Sequence, residues 1–439
     1  MAGGVPNPYP ALAGWKGLSL MNNVFLSAFG GSGENGRNCY TIGVGDAFIL
    51  LDCGVKREIV DGQVGFYPAL TKEIVSKIKA VFLSHCHEDH VAGLPLLYEL
   101  GYTGKVYGTR ETIAETLGFV KKWMGYVEKN HGVLPFKPES ADLIQLAPIE
   151  LGQQEIEGIV FETGRSGHVL GGVWYIFTIE GKRLLYTGDM CREPGVLAFD
   201  QPGSCDAAIM NAAYAGKKIV QSAQFAALLD SVKSCALSGG KVLLPVPPKG
   251  RGIEIAQFLG AQLADIPVYV ESAVEKSFKQ LATQESWIKP GILSEFPASL
   301  HVLDTDEARA QALAVSGGAV YITPDGMLST ELGLMYFEAL KGDAANKVII
   351  SGHAAKGTAG AGVLDAQYRA EKGVLAAGEK IVFKVHMDDD DIVQMCRDTG
   401  AKQAVLFHSD AVNTVNVKAR LAEDGVAGLT IQYPQRADV

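Results

Sequence analysis

Ser84-His85-Cys86-His87-Glu88-Asp89-His90 follows directly on an apolar run, Ala80-Val81-Phe82-Leu83, and precedes Val91-Ala92-Gly93-Leu94-Pro95-Leu96-Leu97. The first run reads as a buried strand and the second as a helix, so the polar stretch is a strand-to-helix loop on a rigid scaffold. Three of the nine histidines in the chain fall within it. Imidazole nitrogen and carboxylate oxygen are the donors that Zn²⁺, Mn²⁺ or Fe²⁺ take. His85 and His87 are two apart, so extended backbone sends both to one side. Asp89 and His90 follow where the chain turns and can reach a second ion. Cys86 then faces away and reads as packing.

Around this stretch lie 439 residues, 47% hydrophobic and 20% charged, which suits a folded chain of two domains or one domain with an insertion. A net charge of −10 argues against a protein that grips long nucleic acid over its whole surface, and any such grip requires a local basic groove. Seven scattered cysteines without a Cys-x-x-Cys pair suggest reduced thiols and a cytoplasmic protein. The opening MAGGVPNPYPALAGWKG lacks the basic start and apolar core of a signal peptide, and no segment is long enough to span a membrane.

Residues 1–20 are rich in Gly and Pro and read as an irregular arm. The glycine-rich Gly30 to Asn38 is followed by a strand, not a helix. It therefore reads as a hairpin turn brought close to the metal site rather than a nucleotide loop. Asp52, at the end of the strand Ala47-Phe48-Ile49-Leu50-Leu51, suits a carboxylate that orients a ligand histidine. His168 and Asp189 also follow strands, and a third histidine and a bridging carboxylate are what a two-metal centre still lacks. From about residue 205 to 350 strands and helices alternate, which predicts a parallel sheet. His386, after Ile381-Val382-Phe383-Lys384-Val385, and His408, after Ala404-Val405-Leu406-Phe407, are expected to cap strands. His353 is a weaker candidate of the same kind, and His131 and His301 read as surface residues. The run Asp388-Asp389-Asp390-Asp391 reads as a helix N-terminus.

Together these positions resemble the metallo-β-lactamase superfamily, and within it the β-CASP nucleic-acid hydrolases. The resemblance spans roughly residues 23–412. It rests on the His-x-His-x-Asp-His signature of 85–90 and on Leu51-Asp52-Cys53-Gly54. His168, Asp189, His386 and His408 stand at the family's later motifs. Pro245 to Glu254, Pro324-Asp325-Gly326-Met327-Leu328 and the stretch from Gly352 to Gly360 resemble its β-CASP segments. It implies an αββα sandwich formed by 21–204 and 351–439, with an α/β β-CASP domain inserted at 205–350. It also implies that His85, His87 and His168 hold one metal, that Asp89, His90 and His408 hold the other, and that Asp189 bridges them. Zn²⁺ is the expected ion, with Mn²⁺ or Fe²⁺ as alternatives. His386 would protonate the leaving group, and Lys249, Arg251 and His353 would contact substrate. Family members often form homodimers.

At the position of the family's acidic motif A residue this chain has Asn211. An amide cannot stabilise an imidazolium by charge, so His386 should be a weaker acid catalyst. Two readings follow. The first is a phosphodiesterase cleaving single-stranded RNA. The second is a hydrolase of a small-molecule ester, thioester or phosphoester, which Asn211 and the acidic composition support.

Overall fold

The computed structural model describes residues 18–21, 24–292, 295–352, 354–355 and 357–430. These divide into two compact units. One comprises residues up to 192, 199–218 and the chain from 386 onward. The other comprises 193–198 and 219–385.

The first unit is built on two seven-stranded sheets. One runs, in spatial order, Leu18–Met21, Val24–Gly30, Cys39–Val44, Ala47–Leu51, Ile78–Phe82, Val106–Thr109 and Leu146–Ile149. The other runs Gly152–Ile156, Ile159–Arg165, Val173–Ile179, Lys182–Tyr186, Ala207–Asn211, Gln403–Phe407 and Ala427–Leu429. Aromatic side chains join the facing sheets. Phe82 meets Phe161, Tyr175 and Phe177 edge-on at 5.1 to 5.6 Å, and Tyr40 meets Tyr186 and Phe407. On the outer face of the first sheet, Leu94 and Leu97 of the helix Leu94–Glu99 pack with Leu50, Val81 and Val106. On the outer face of the second, Ile392, Met395 and Leu421 pack with Met210 and Leu406. The layers are therefore helix, sheet, sheet, helix, as expected.

The second unit holds a six-stranded sheet in the order Leu300–Leu303, Val268–Glu271, Ala319–Pro324, Lys241–Val246, Lys347–Ile350 and Ala377–Lys380. Every neighbouring pair is parallel. Strands buried on both faces must be apolar throughout, and Val242, Leu243, Leu244 and Val246 are all fully buried.

The unit boundaries differ from the expected insertion at 205–350. Ala207–Asn211 pairs in parallel with Lys182–Tyr186 and Gln403–Phe407, so it belongs to the first unit. Lys347–Ile350 and Ala377–Lys380 are strands of the second sheet, which carries that unit on to 385. The segment 193–198 joins it because Ala198 N–H donates to Trp287 O and Val196 N–H to Glu254 Oε1.

Two local expectations also fail. Residues 381–385 form no strand, because their partner strand ends at Ile350. The bonds here include Ile381 N–H to Ile350 O, Phe383 N–H to Ser351 O, and Lys384 N–H to Gln221 Oε1. The helix expected at 91–97 is two helices, Glu88–Val91 and Leu94–Glu99. Pro95 has no N–H to continue the first, and Gly93 N–H turns aside to Cys53 O.

Candidate metal centre

The first unit gathers the expected ligands at the ends of its strands. His85 and His87 follow Ile78–Phe82, and Asp89 and His90 occupy the short helix Glu88–Val91 that starts directly after His87. Gly54 makes that approach possible: a Cβ there would stand 1.6 Å from the Asp89 carbonyl oxygen. His168 follows Ile159–Arg165, Asp189 follows Lys182–Tyr186, and His408 follows Gln403–Phe407. The glycine-rich turn does close on the site, since His408 N–H donates to Gly31 O and Asn38 N–H to Asp89 O.

Two groups of donors result, one of His85, His87, His168 and Asp189, the other of Asp89, His90 and His408. In the first, His85 Nε2 lies 3.0 Å from His87 Nδ1, and His168 Nε2 lies 3.3 Å from that same atom. Zinc–nitrogen bonds of about 2.0–2.1 Å in a tetrahedron set their nitrogens roughly 3.3 Å apart, so this spacing fits one ion. In the second, His408 Nε2 lies 2.7 Å from Asp89 Oδ2, and His90 Nε2 lies 3.8 Å from it. Asp189 stands between the groups. Its Oδ2 is 3.6 Å from His168 Nε2, 3.8 Å from His85 Nε2 and 3.8 Å from His408 Nε2, while its Oδ1 is 3.4 Å from His90 Nε2. Five imidazoles and two carboxylates converging in a buried space fit two divalent cations.

The charge state without metal agrees. Burial, helped by the neighbouring imidazoles of His90 and His87, pushes His85 well below the ordinary histidine range, and burial with His168 lowers His87 to about 4. Burial works against a charged His90, but the carboxylates of Asp189, Asp89 and Asp52 outweigh it and hold its proton well above that range. His408 is raised against burial in the same way, by Asp189 and Asp89. Burial would raise Asp189 too, yet His408, His90 and His386 keep it ionised.

Asp52 lies where the orienting carboxylate is expected. It is fully buried and accepts from Ser84 N–H at 2.7 Å, Ser84 Oγ at 2.6 Å, His90 Nδ1 at 2.7 Å and Tyr186 Oη at 2.5 Å. With Nδ1 turned to Asp52, Nε2 of His90 faces Asn38 Nδ2 at 2.9 Å and the two candidate carboxylates, and would be the nitrogen that binds a metal. Asp52 and His408 both sit at positive φ, 55° and 61°, the backbone strain that functional loops store. Sequence reasoning missed Ser84, Tyr186 and Asn38, whose amide reaches the Asp89 carbonyl at 3.2 Å. Their only signal was position, at strand ends or in the glycine-rich turn.

His386 Nδ1 lies 3.7 Å from Asp189 Oδ2, and its ring lies 4.7 Å from that of His168 and edge-on to Tyr214. Burial depresses its proton affinity well below the ordinary value. Asn211 donates through Nδ2 to Asp189 Oδ1 and accepts at Oδ1 from Ala213 N–H. Lys249 and Arg251 belong to the second unit. Lys249 is exposed in the turn before the helix Arg251–Gln262. Arg251 Nη1 donates to Ser351 O and lies over Gly352, where a Cβ would stand 1.8 Å from it. His353 lies outside the described residues. Cys86 is buried, and none of the seven cysteines forms a disulfide. Among the described residues no helix is long and apolar enough to cross a membrane.

A sequence model of the metallo-beta-lactamase superfamily matches residues 32–230, and one of the Beta-Casp domain matches 253–363. The chain thus carries a metallo-beta-lactamase domain and a Beta-Casp domain. The first range contains Asp52 and the candidate ligands from His85 to Asp189, and the second lies within the parallel-sheet unit. The chain is 26% identical over 384 residues to the transcription termination factor FttA of Cenarchaeum symbiosum, covering 79% of this chain and 58% of that protein. It is 23% identical to an RNase J-like protein of Methanocaldococcus jannaschii, covering 90% and 94%, and 26% identical to ribonuclease TTHA0252 of Thermus thermophilus, covering 87% and 92%. A crystal structure of a protein of unknown function from Enterococcus faecalis V583 superposes with a TM-score of 0.58 at 14% identity, covering 95% of this chain and 99% of that one. That likeness supports the fold.

Proposed function

We propose that this Beta-Casp protein is a two-metal phosphodiesterase that cleaves single-stranded RNA. The observation that carries the reading is the pair of donor groups sharing Asp189, in a chain matched over nine-tenths of its length by a protein named as RNase J-like. Five nitrogen and two oxygen donors suit Zn²⁺ first, with Mn²⁺ and Fe²⁺ also accepted by such a set. Two such ions supply Lewis acidity for hydrolysis of a phosphodiester.

The chain's own residues do the rest. Asp52, Ser84 and Tyr186 hold His90 in one tautomer and one orientation. His386 is the group left to handle the proton of the leaving oxygen. It can give that proton only as the imidazolium, which burial disfavours and to which Asn211 adds no stabilising charge. The exposed Lys249 is the proposed phosphate contact, and Arg251 holds the Ser351 carbonyl.

The test sets single-stranded RNA beside small esters, thioesters and phosphoesters, all with the Zn²⁺-loaded protein. Cleavage of RNA supports the reading. Turnover of a small ester or thioester with RNA left intact replaces it with the small-molecule hydrolase.

A further inference from the structure

Asn211 ends the strand Ala207–Asn211 and is fully buried. Its side-chain oxygen accepts from Ala213 N–H at 3.1 Å, which turns Nδ2 to Asp189 Oδ1 at 2.5 Å. Each end of the amide is thus engaged within the wall of the centre, by one of its two N–H groups and one of its two oxygen lone pairs. The backbone N–H is committed too, to Thr187 Oγ1 at 3.0 Å. His386 faces the other oxygen of Asp189: its buried Nδ1 lies 3.7 Å from Oδ2 and has no hydrogen-bond partner. The polarity matters. An amide donates to a carboxylate, whereas an aspartate or glutamate here would set a second negative oxygen against Asp189.

We infer that Asn211 is a positioning residue for the shared metal carboxylate. It clamps Asp189 Oδ1 so that Oδ2 faces both donor groups, and it acts on the metals rather than on His386. The inference rests on the dinuclear reading of the seven donors and not on RNA as the substrate.

Chelator competition for Zn²⁺ tests it, with thermal unfolding of the loaded and metal-free forms alongside. Hydrogen bonds to metal-binding carboxylates are worth about tenfold to hundredfold in metal affinity. Asn211→Ala should therefore weaken the looser ion by that factor. Asn211→Leu keeps the volume without the donor and should lose as much. In both, the gap in melting temperature between loaded and metal-free protein narrows, because weaker binding stabilises the native state less. His386→Ala should leave metal affinity within about twofold, and the double variant should match Asn211→Ala.

Wild-type affinity in Asn211→Leu would overturn the inference. So would equal weakening in His386→Ala with no further loss in the double variant, which would place the effect on His386. Equal drops in melting of the loaded and metal-free forms, at unchanged affinity, would reduce Asn211 to a packing role. Failure of the wild-type protein to bind any divalent ion would instead remove the dinuclear reading beneath it.

Discussion

His90 Nδ1 lies 2.7 Å from Asp52 Oδ2, and neither side chain is exposed. A charge this deeply buried is stable only when fully paired, and Asp52 has four donors around it. Asp52→Asn sets an NH₂ group against some of those donors. The prediction is a loss of about tenfold to hundredfold in affinity for the second metal, measured by chelator competition. Unchanged affinity would show that His90 needs no such partner.

Proton release on metal binding follows from the charge states. His90 and His408 hold protons above the ordinary histidine range in the metal-free protein, whereas His85 and His87 do not. A metal displaces ring protons from its ligands, so loading should release protons from His90 and His408. Affinity should rise with pH while His90 and His408 remain protonated and level off above their raised values. Calorimetry in buffers of different ionisation enthalpy measures the number. Release of none would contradict the assigned charges.

Much of this site was legible because its ligands stand at strand ends, and an apolar run followed by His or Asp is a local signal. Of the seven candidate donors, His85, His87, His168, Asp189 and His408 follow strands, and Asp89 and His90 stand in the short helix just after the first of these. The second sheet was legible in Lys241-Val242-Leu243-Leu244-Pro245-Val246, whose continuous apolar character marks a strand covered on both faces. The segment before His386 was not, because Ile381 to Val385 has strand composition but lies beyond the paired strands Lys347–Ile350 and Ala377–Lys380. Nor was the direction of the Asn211 amide. It depends on Ala213 and Asp189, and only the folded backbone brings Asp189 within reach.

Asp388 caps the helix Asp389–Thr399 with a reciprocal pair of bonds to Asp391, two residues after His386. Losing such a cap costs about 1 kcal/mol. Asp388→Ala should lower stability to urea by that amount. It should also lower catalytic rate more than metal affinity, because the cap fixes the chain next to His386. A fall in metal affinity as large as the fall in rate would count against this placement.

Glu254 accepts from Gly195 and Val196 N–H, yet burial raises its carboxyl above the ordinary value of 4.5. A carboxyl with a raised folded pKa binds more protons folded than unfolded. Stability is then lost as pH rises from 4.5 through the raised value. Glu254→Gln keeps an accepting oxygen and cannot ionise. Relative to wild type it should gain stability as pH rises through that window and hold the gain above it. Urea titrations at several pH values check this, and a gain that does not change with pH would refute it.

The central claim is that seven side chains hold two ions and that both are needed to cleave RNA. Zn²⁺ titrated into the metal-free protein, with cleavage of end-labelled single-stranded RNA followed at each step, tests it most directly. Cleavage should appear with the second equivalent, and Asp189→Ala should show none at any loading. Full activity at one equivalent, or intact RNA with two ions bound, would contradict the account.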